Sequence, residues 1–205
     1  MSLSPRHKIM DLLLKNNIPI SFFYLINMTN FVYYTDGAAT MKKSGGKYLR
    51  EAGGWAFILL NDGEEVSSQS GGCPLTTNNE MELYAIYASI RDFLDNSHEG
   101  DTLTVCSDSA YCIGIYTQWA KGWQKRGWRK SDGKPIQNLE IVKATWDLIN
   151  DIDSINFKKV KGHSRDRLNA KVDKLAVVAK KVTKSTGKTV GYNQQYDKLL
   201  GSKEN

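Results

Sequence analysis

The chain has 205 residues, 40% apolar and 24% charged, with three cysteines and a formal net charge of +6. That length holds one ordinary domain with appendages, and the balance is that of a water-facing globular protein, not a fibrous or disordered chain. Cys73, Cys106 and Cys112 are odd in number and lack paired-ligand spacing, which argues against a disulfide framework or a zinc site and leads us to expect a reducing compartment.

The net charge lies in the two ends. Residues 1–29 hold three basic groups against one acid and residues 180–205 six against two, which leaves 19 of each sign between them. A case for nucleic acid must therefore rest on local clusters. The apolar run Ile18–Ile26 is nine residues long and contains Pro19 and Ser21, too short for a span of ~20 and without the small-residue site of a secretory signal. We expect an intracellular protein, cytoplasmic or nuclear. Arg6, His7, Lys8 and Lys15 leave an organelle-import segment as the lesser alternative.

In chain order, residues 1–29 read as an extension and the domain proper as 30–181. Phe31–Thr35 is aromatic or β-branched throughout, a strand that should end in the turn pair Asp36-Gly37. A basic loop follows from Thr40 to Ala52, with Lys42, Lys43, Lys47 and Arg50. Gly54–Leu60 is an apolar strand, Asn61-Asp62-Gly63 a hairpin turn, and Glu64–Gly71 a polar returning strand near an edge. Thr77-Asn78-Asn79-Glu80 has the form of a capping box, and Leu83, Ile86, Tyr87, Ile90 and Leu94 then make one helical stripe. Asp101–Cys106 is a strand ending at Ser107-Asp108, Ala110–Trp119 a helix, and residues 121–134 irregular and basic. A helix over Asn138–Ile149, a strand over Ile155–Val160, the loop Lys161–Ser164 and a helix over Asn169–Lys181 complete the domain. Three antiparallel strands followed by two crossover-linked ones predict an α/β fold: a mixed five-stranded sheet with helices on both faces. Residues 182–205 read as a basic tail, expected to be flexible.

Four acids recur at comparable places: Asp36 and Asp108 after strands, Glu82 and Asp173 in helices. Acids at the ends of adjacent strands repel unless protonated or bridged by a cation, and oxygen ligands suit Mg²⁺ or Mn²⁺. On a helical wheel Glu80 and Glu82 flank the apolar stripe on opposite sides. The capping box gives Glu80 a structural role and leaves Glu82 free for metal.

Thr35-Asp36-Gly37, Thr77–Leu83, Ser107-Asp108-Ser109, and Lys161-Gly162-His163 followed by Asn169 and Asp173 resemble the motifs of type 1 ribonuclease H, in the family's order and over about residues 30–180. The resemblance implies a ribonuclease H-like fold and an endonuclease that cuts the RNA strand of RNA–DNA hybrids through two Mg²⁺ ions, replaceable by Mn²⁺, leaving 3′-hydroxyl and 5′-phosphate ends. It implies metal ligation by Asp36, Glu82, Asp108 and Asp173, with His163 assisting proton transfer or product departure. It also implies groove contacts from Asn78 and Asn79, amides able to donate to and accept from the 2′-hydroxyl, and DNA-phosphate contacts from Thr77 and Asn138, with Asn169 among the substrate-binding positions. Trp119, Trp123, Lys125, Arg126, Trp128 and Arg129 resemble the basic protrusion of bacterial and many cellular members, where aromatics among cations suit sugars, bases and phosphates. One or two of these tryptophans should anchor the protrusion to the core. The expected partner is hybrid duplex, with no membrane, and the expected state a monomer.

Two departures stand out: the long basic loop replaces the glycine-rich turn of relatives, and Ala110 stands where a longer polar residue is common. Of the competing readings, a 3′–5′ exonuclease would need Asp-x-Glu at the first acid, and position 38 is Ala. A non-catalytic hybrid-binding module would lack a carboxylate, and none is missing.

Overall fold

The computed structural model describes residues 14–16, 28–40, 42–162 and 166–191, with backbone alone at Lys47 and Tyr48. The main sheet is built from β1 (Asn30–Ala39), β4 (Glu51–Asn61), β5 (Glu64–Thr76), β6 (Thr102–Ser107) and β7 (Ile155–Lys159), in the order β5-β4-β1-β6-β7. β5, β4 and β1 run antiparallel, whereas β6 and β7 run parallel to β1. This is the expected mixed sheet, with the polar strand at its edge. The hairpin between β4 and β5 turns through Asp62 (φ 50°) and Gly63 (φ 91°), two left-handed residues that match the twist of the flanking strands.

Helices cover both faces: α1 (Asn78–Asn96), α2 (Ala110–Gly114), α3 (Ala120–Lys125), α4 (Leu139–Ile149) and α5 (Arg167–Thr186). Alternation along β1 sends Phe31 and Tyr33 into a large core with Leu83, Ile86 and Ile90 of α1 and Val142 of α4. Val32, Tyr34 and Ala38 face the other way, toward Val172 and Ala176 of α5. Gly54 lets the backbones of β4 and α5 meet, because a Cβ there would fall 2.3 Å from the Ala176 carbonyl oxygen and 2.4 Å from the Lys180 nitrogen. Among the described residues no helix is long and apolar enough to cross a membrane.

The structure corrects five expectations. β1 does not end at Asp36-Gly37 but continues to Ala39, since β4 pairs with it through Ala39↔Gly53. The basic loop contains a second hairpin, β2 (Lys42–Ser44) with β3 (Lys47–Leu49). The helix from Ala110 does not stop at Trp119: it passes through one π-helical stretch, Ile115–Trp119, into α3, so the start of the basic segment is helical. The last helix is longer than expected at both ends, from the N-cap Asp166 to Thr186, with Gly187 (φ 64°) closing it. Beyond it Val190 pairs with Gly72 on β5, so the first part of the supposed tail is held against the sheet edge. Residues 192–205, and the expected extension apart from 14–16 and 28–29, lie outside the described residues.

Candidate active site

Register brings the acids together. Thr35 pairs with Ser107 at the end of the parallel β1–β6 ladder, so the next residues, Asp36 still within β1 and Asp108 just past the end of β6, stand beside each other. Gly37 then brings in the third acid. A Cβ at Gly37 would lie 2.2 Å from the Glu82 nitrogen and 2.4 Å from the Met81 carbonyl carbon, so only glycine lets β1 touch the first turns of α1. Asp36, Glu82 and Asp108 each place a carboxylate oxygen within 4.8 Å of the others. Asp173, from the half-buried face of α5, is close enough to Asp36 to disfavour its ionisation. The loop after β7 closes the group, with Gly162 packed where a Cβ would be 2.8 Å from Asp108 Oδ2.

Asp36 and Glu82 are both 6% exposed. Burial, then the charge of Asp108, and then Asp173 push the Asp36 carboxyl up to about 7, against a hydrogen bond from the Gly37 amide (2.8 Å) that favours the anion. Burial, followed by Asp36 and Asp108, raises Glu82 well above the ordinary carboxylate range. Glu82 Oε2 is buried with no hydrogen-bond donor among the described residues, and Asn78 Nδ2 approaches Oε1 at 3.5 Å. A hard divalent cation fits this donor set: it satisfies the orphaned oxygen and removes the repulsion that holds the acids protonated. Without metal, folded Asp36 keeps its proton to about pH 7, whereas an unfolded aspartate loses it near pH ~4. The folded state then binds more protons between those limits, so stability falls as pH rises through them, and Glu82 adds in the same direction. Thermal melts in chelator should show Tm declining from about pH 5 to about pH 8; a flat or rising Tm would contradict this assignment.

The structure separates the two glutamates that the helical wheel left on either side of one stripe. Glu80 completes the capping box with Thr77, accepts from Thr76 Oγ1 at 2.9 Å and pairs with Arg50. It is a structural acid, and Glu82 is the one that meets Asp36.

The other candidate residues fall in two groups. Asn78 uses Oδ1 to accept from the Ala39 amide at 3.1 Å, tying α1 to β1 beside the carboxylates, and Asn79 is exposed next to it. Thr77 Oγ1 already accepts from the Glu80 amide, and Asn138 is a left-handed N-cap (φ 57°) without a side-chain capping bond. On the protrusion, Lys125, Arg126 and Arg129 are exposed and Trp119 is 38% exposed. Trp123, at 8%, belongs to the core: it anchors the protrusion, and its ring is withdrawn from direct contact. Half-buried Trp128 carries the Lys143 ammonium 5.7 Å above its ring. Asn169 is also withdrawn, at 3% exposed, and lies one turn from Asp173 with Oδ1 lacking a partner among the described residues. His163 lies outside the described residues. Tyr111 and Gln118, not among the candidate residues, line a cavity of about 540 Å³ on the protrusion with Trp119, Arg126 and Lys130. The Tyr111–Trp119 spacing of eight residues, two helical turns, was the available signal; the rings are 6.1 Å apart.

A family model described as RNase H matches residues 28–181. The ribonuclease H of Ehrlichia ruminantium (strain Gardel) is 38% identical over 149 residues, covering 73% of this chain and 93% of that protein. Among solved structures, LC9-RNase H1, a type 1 RNase H with the type 2 active-site motif, superposes with TM-score 0.63 at 22% identity, over 83% of this chain and 81% of that one. LC11-RNase H1, solved in complex with RNA/DNA hybrid, superposes with TM-score 0.53 at 19% identity, over 75% of this chain and 98% of that one.

Proposed function

The chain belongs to the ribonuclease H family, and on that premise we propose that it is a type 1 member and which of its residues carry the activity and how. The protein is a divalent-metal-dependent endonuclease acting on the RNA strand of RNA–DNA hybrids. Asp36, Glu82, Asp108 and Asp173 hold the metal. The support is the convergence of three acids within 4.8 Å around a buried, unpartnered Glu82 oxygen. The ions are two Mg²⁺, with Mn²⁺ able to replace them, because every donor is a hard carboxylate oxygen. What such ions supply when bound is activation of the attacking water and neutralisation of charge on the departing 3′ oxygen, which gives 3′-hydroxyl and 5′-phosphate ends.

The chain's own residues orient the substrate. Asn78 and Asn79 stand beside Glu82 at the start of α1, where amides can both donate to and accept from a ribose 2′-hydroxyl. Thr77 and Asn138 take phosphates of the DNA strand. Trp119, Lys125, Arg126, Trp128 and Arg129 hold the duplex along the protrusion, with Trp123 fixing its base. Asn169 supports Asp173 from one turn away, and His163 moves a proton or helps product leave from the loop whose Gly162 touches Asp108. The acids and the protrusion come from one chain, so one copy can carry the activity and we read the enzyme as a monomer, and its three free cysteines suit an intracellular site.

A labelled hybrid, an RNA duplex and a DNA duplex of one sequence test the reading. Only the RNA strand of the hybrid should be cut, and chelator should stop it. Equal cutting of the RNA duplex, or cutting unaffected by chelator, would overturn it.

A further inference from the structure

The β2–β3 hairpin is absorbed by none of the roles above. From Thr40 to Arg50 the chain carries four basic residues and no acid. Its strands pair as Lys42↔Leu49, Lys43↔Tyr48 and Ser44↔Lys47, and Gly45 (φ 57°) and Gly46 (φ 79°) make the two-residue turn that such a tight hairpin requires. Lys42 and Lys43 are exposed.

The arm is rooted at its base. The Thr40 amide donates to the Ala52 carbonyl at 3.0 Å, continuing the β1–β4 ladder outward. Arg50 donates to the Leu75 carbonyl at 3.3 Å and pairs with Glu80, which locks the root to the start of α1. The hairpin therefore follows in sequence on the strand that carries Asp36, as a two-stranded sheet of its own. It joins β1 to β4, whereas the protrusion follows β6 on the other side of β1, so the two basic elements stem from opposite sides of the carboxylates.

We propose that this hairpin is a second arm gripping the hybrid, with Lys42 and Lys43 neutralising backbone phosphates away from the cut. The inference rests on the ribonuclease H reading and adds the length of duplex engaged. The seven residues from Asp36 to Lys43 can span at most ~25 Å of chain. On a duplex rising ~3.4 Å per base pair that reach covers phosphates up to about seven base pairs from the cleaved bond. The physical work is counter-ion release, which depends on salt and not on sequence.

The test is K42Q/K43Q, with K42E/K43E as a stronger form, assayed on a hybrid of about 30 base pairs and one of about 8 across a salt series. On the long hybrid KM should rise about tenfold with kcat unchanged, and the slope of log affinity against log salt should shrink by about two, one for each lost phosphate contact. On the short hybrid the variants should match the parent. An unchanged salt slope, or an equal loss on both lengths, would overturn the proposal. Failure of the parent to cut either hybrid would instead overturn the ribonuclease H reading itself.

Discussion

Asp36→Asn should reduce hybrid cleavage about a hundred- to a thousand-fold, the scale on which removing one preorganised group that meets transition-state charge acts. The substitution is nearly isosteric. The asparagine oxygen still accepts from the Gly37 amide, which donates to Asp36 Oδ1 at 2.8 Å, so β1 and its contact with α1 should survive. What disappears is one negative charge from a group of acids too crowded to be ionised together without a cation. The same change therefore carries a second signature that a damaged fold would not give. Metal-free Asp36→Asn should melt higher than the parent above about pH 7, where the parent must ionise a buried acid beside Asp108. Steady-state cleavage and melts in chelator check both. Activity within tenfold of the parent, or a lower Tm above neutral pH, would count against the assignment.

Gly37→Ala should be the most damaging single methyl addition in the site. Its Cβ would sit 2.2 Å from the Glu82 nitrogen and 2.4 Å from the Met81 carbonyl carbon, both backbone atoms of α1 that no side-chain rotation can move away. Relief requires α1 to shift off the sheet, against a core in which Met81, Leu83, Tyr84 and Ile86 are wholly buried. Overpacking of this kind costs up to about 3 kcal/mol, occasionally more. For a domain of this size that is a fall in Tm of roughly 10 °C. Cleavage should fail even where the variant is still folded, because the displaced segment carries Glu82 away from Asp36. A variant with parental Tm and activity would show that the strand–helix contact has slack the structure does not show.

Much of this was legible in the residues. The aromatic and β-branched run Phe31–Thr35, the Asn61-Asp62-Gly63 turn and the Thr77–Glu80 capping box are local signals, and each element formed where local chemistry placed it. Features decided by tertiary contact were not. Asp36-Gly37 reads as a turn because that pair favours one; it continues a strand because β4 pairs past it and α1 presses on the glycine. The last helix seemed to stop at Lys181 because its final turns are polar, yet Thr183 is buried against Gly72, where a Cβ would meet Thr183 Oγ1 at 2.2 Å. Glu80 and Glu82 could not be told apart by angle on a wheel, since both are buried. Arg50, thirty residues upstream, takes one and leaves the other to the site. That one or two of the protrusion's tryptophans anchor it was legible, but which one was not: the helical continuation through the π-turn leaves Trp119 half-open and sends Trp123 into the core.

Mn²⁺ binding, followed by the loss of its free-ion paramagnetic signal, tests the central claim most directly. The parent and Asp132→Asn, which alters an exposed acid paired with Lys134 on the protrusion, should bind Mn²⁺ saturably and alike. Asp36→Asn should bind far more weakly. Undiminished Mn²⁺ uptake by Asp36→Asn would show that the buried carboxylates are not where the metal sits.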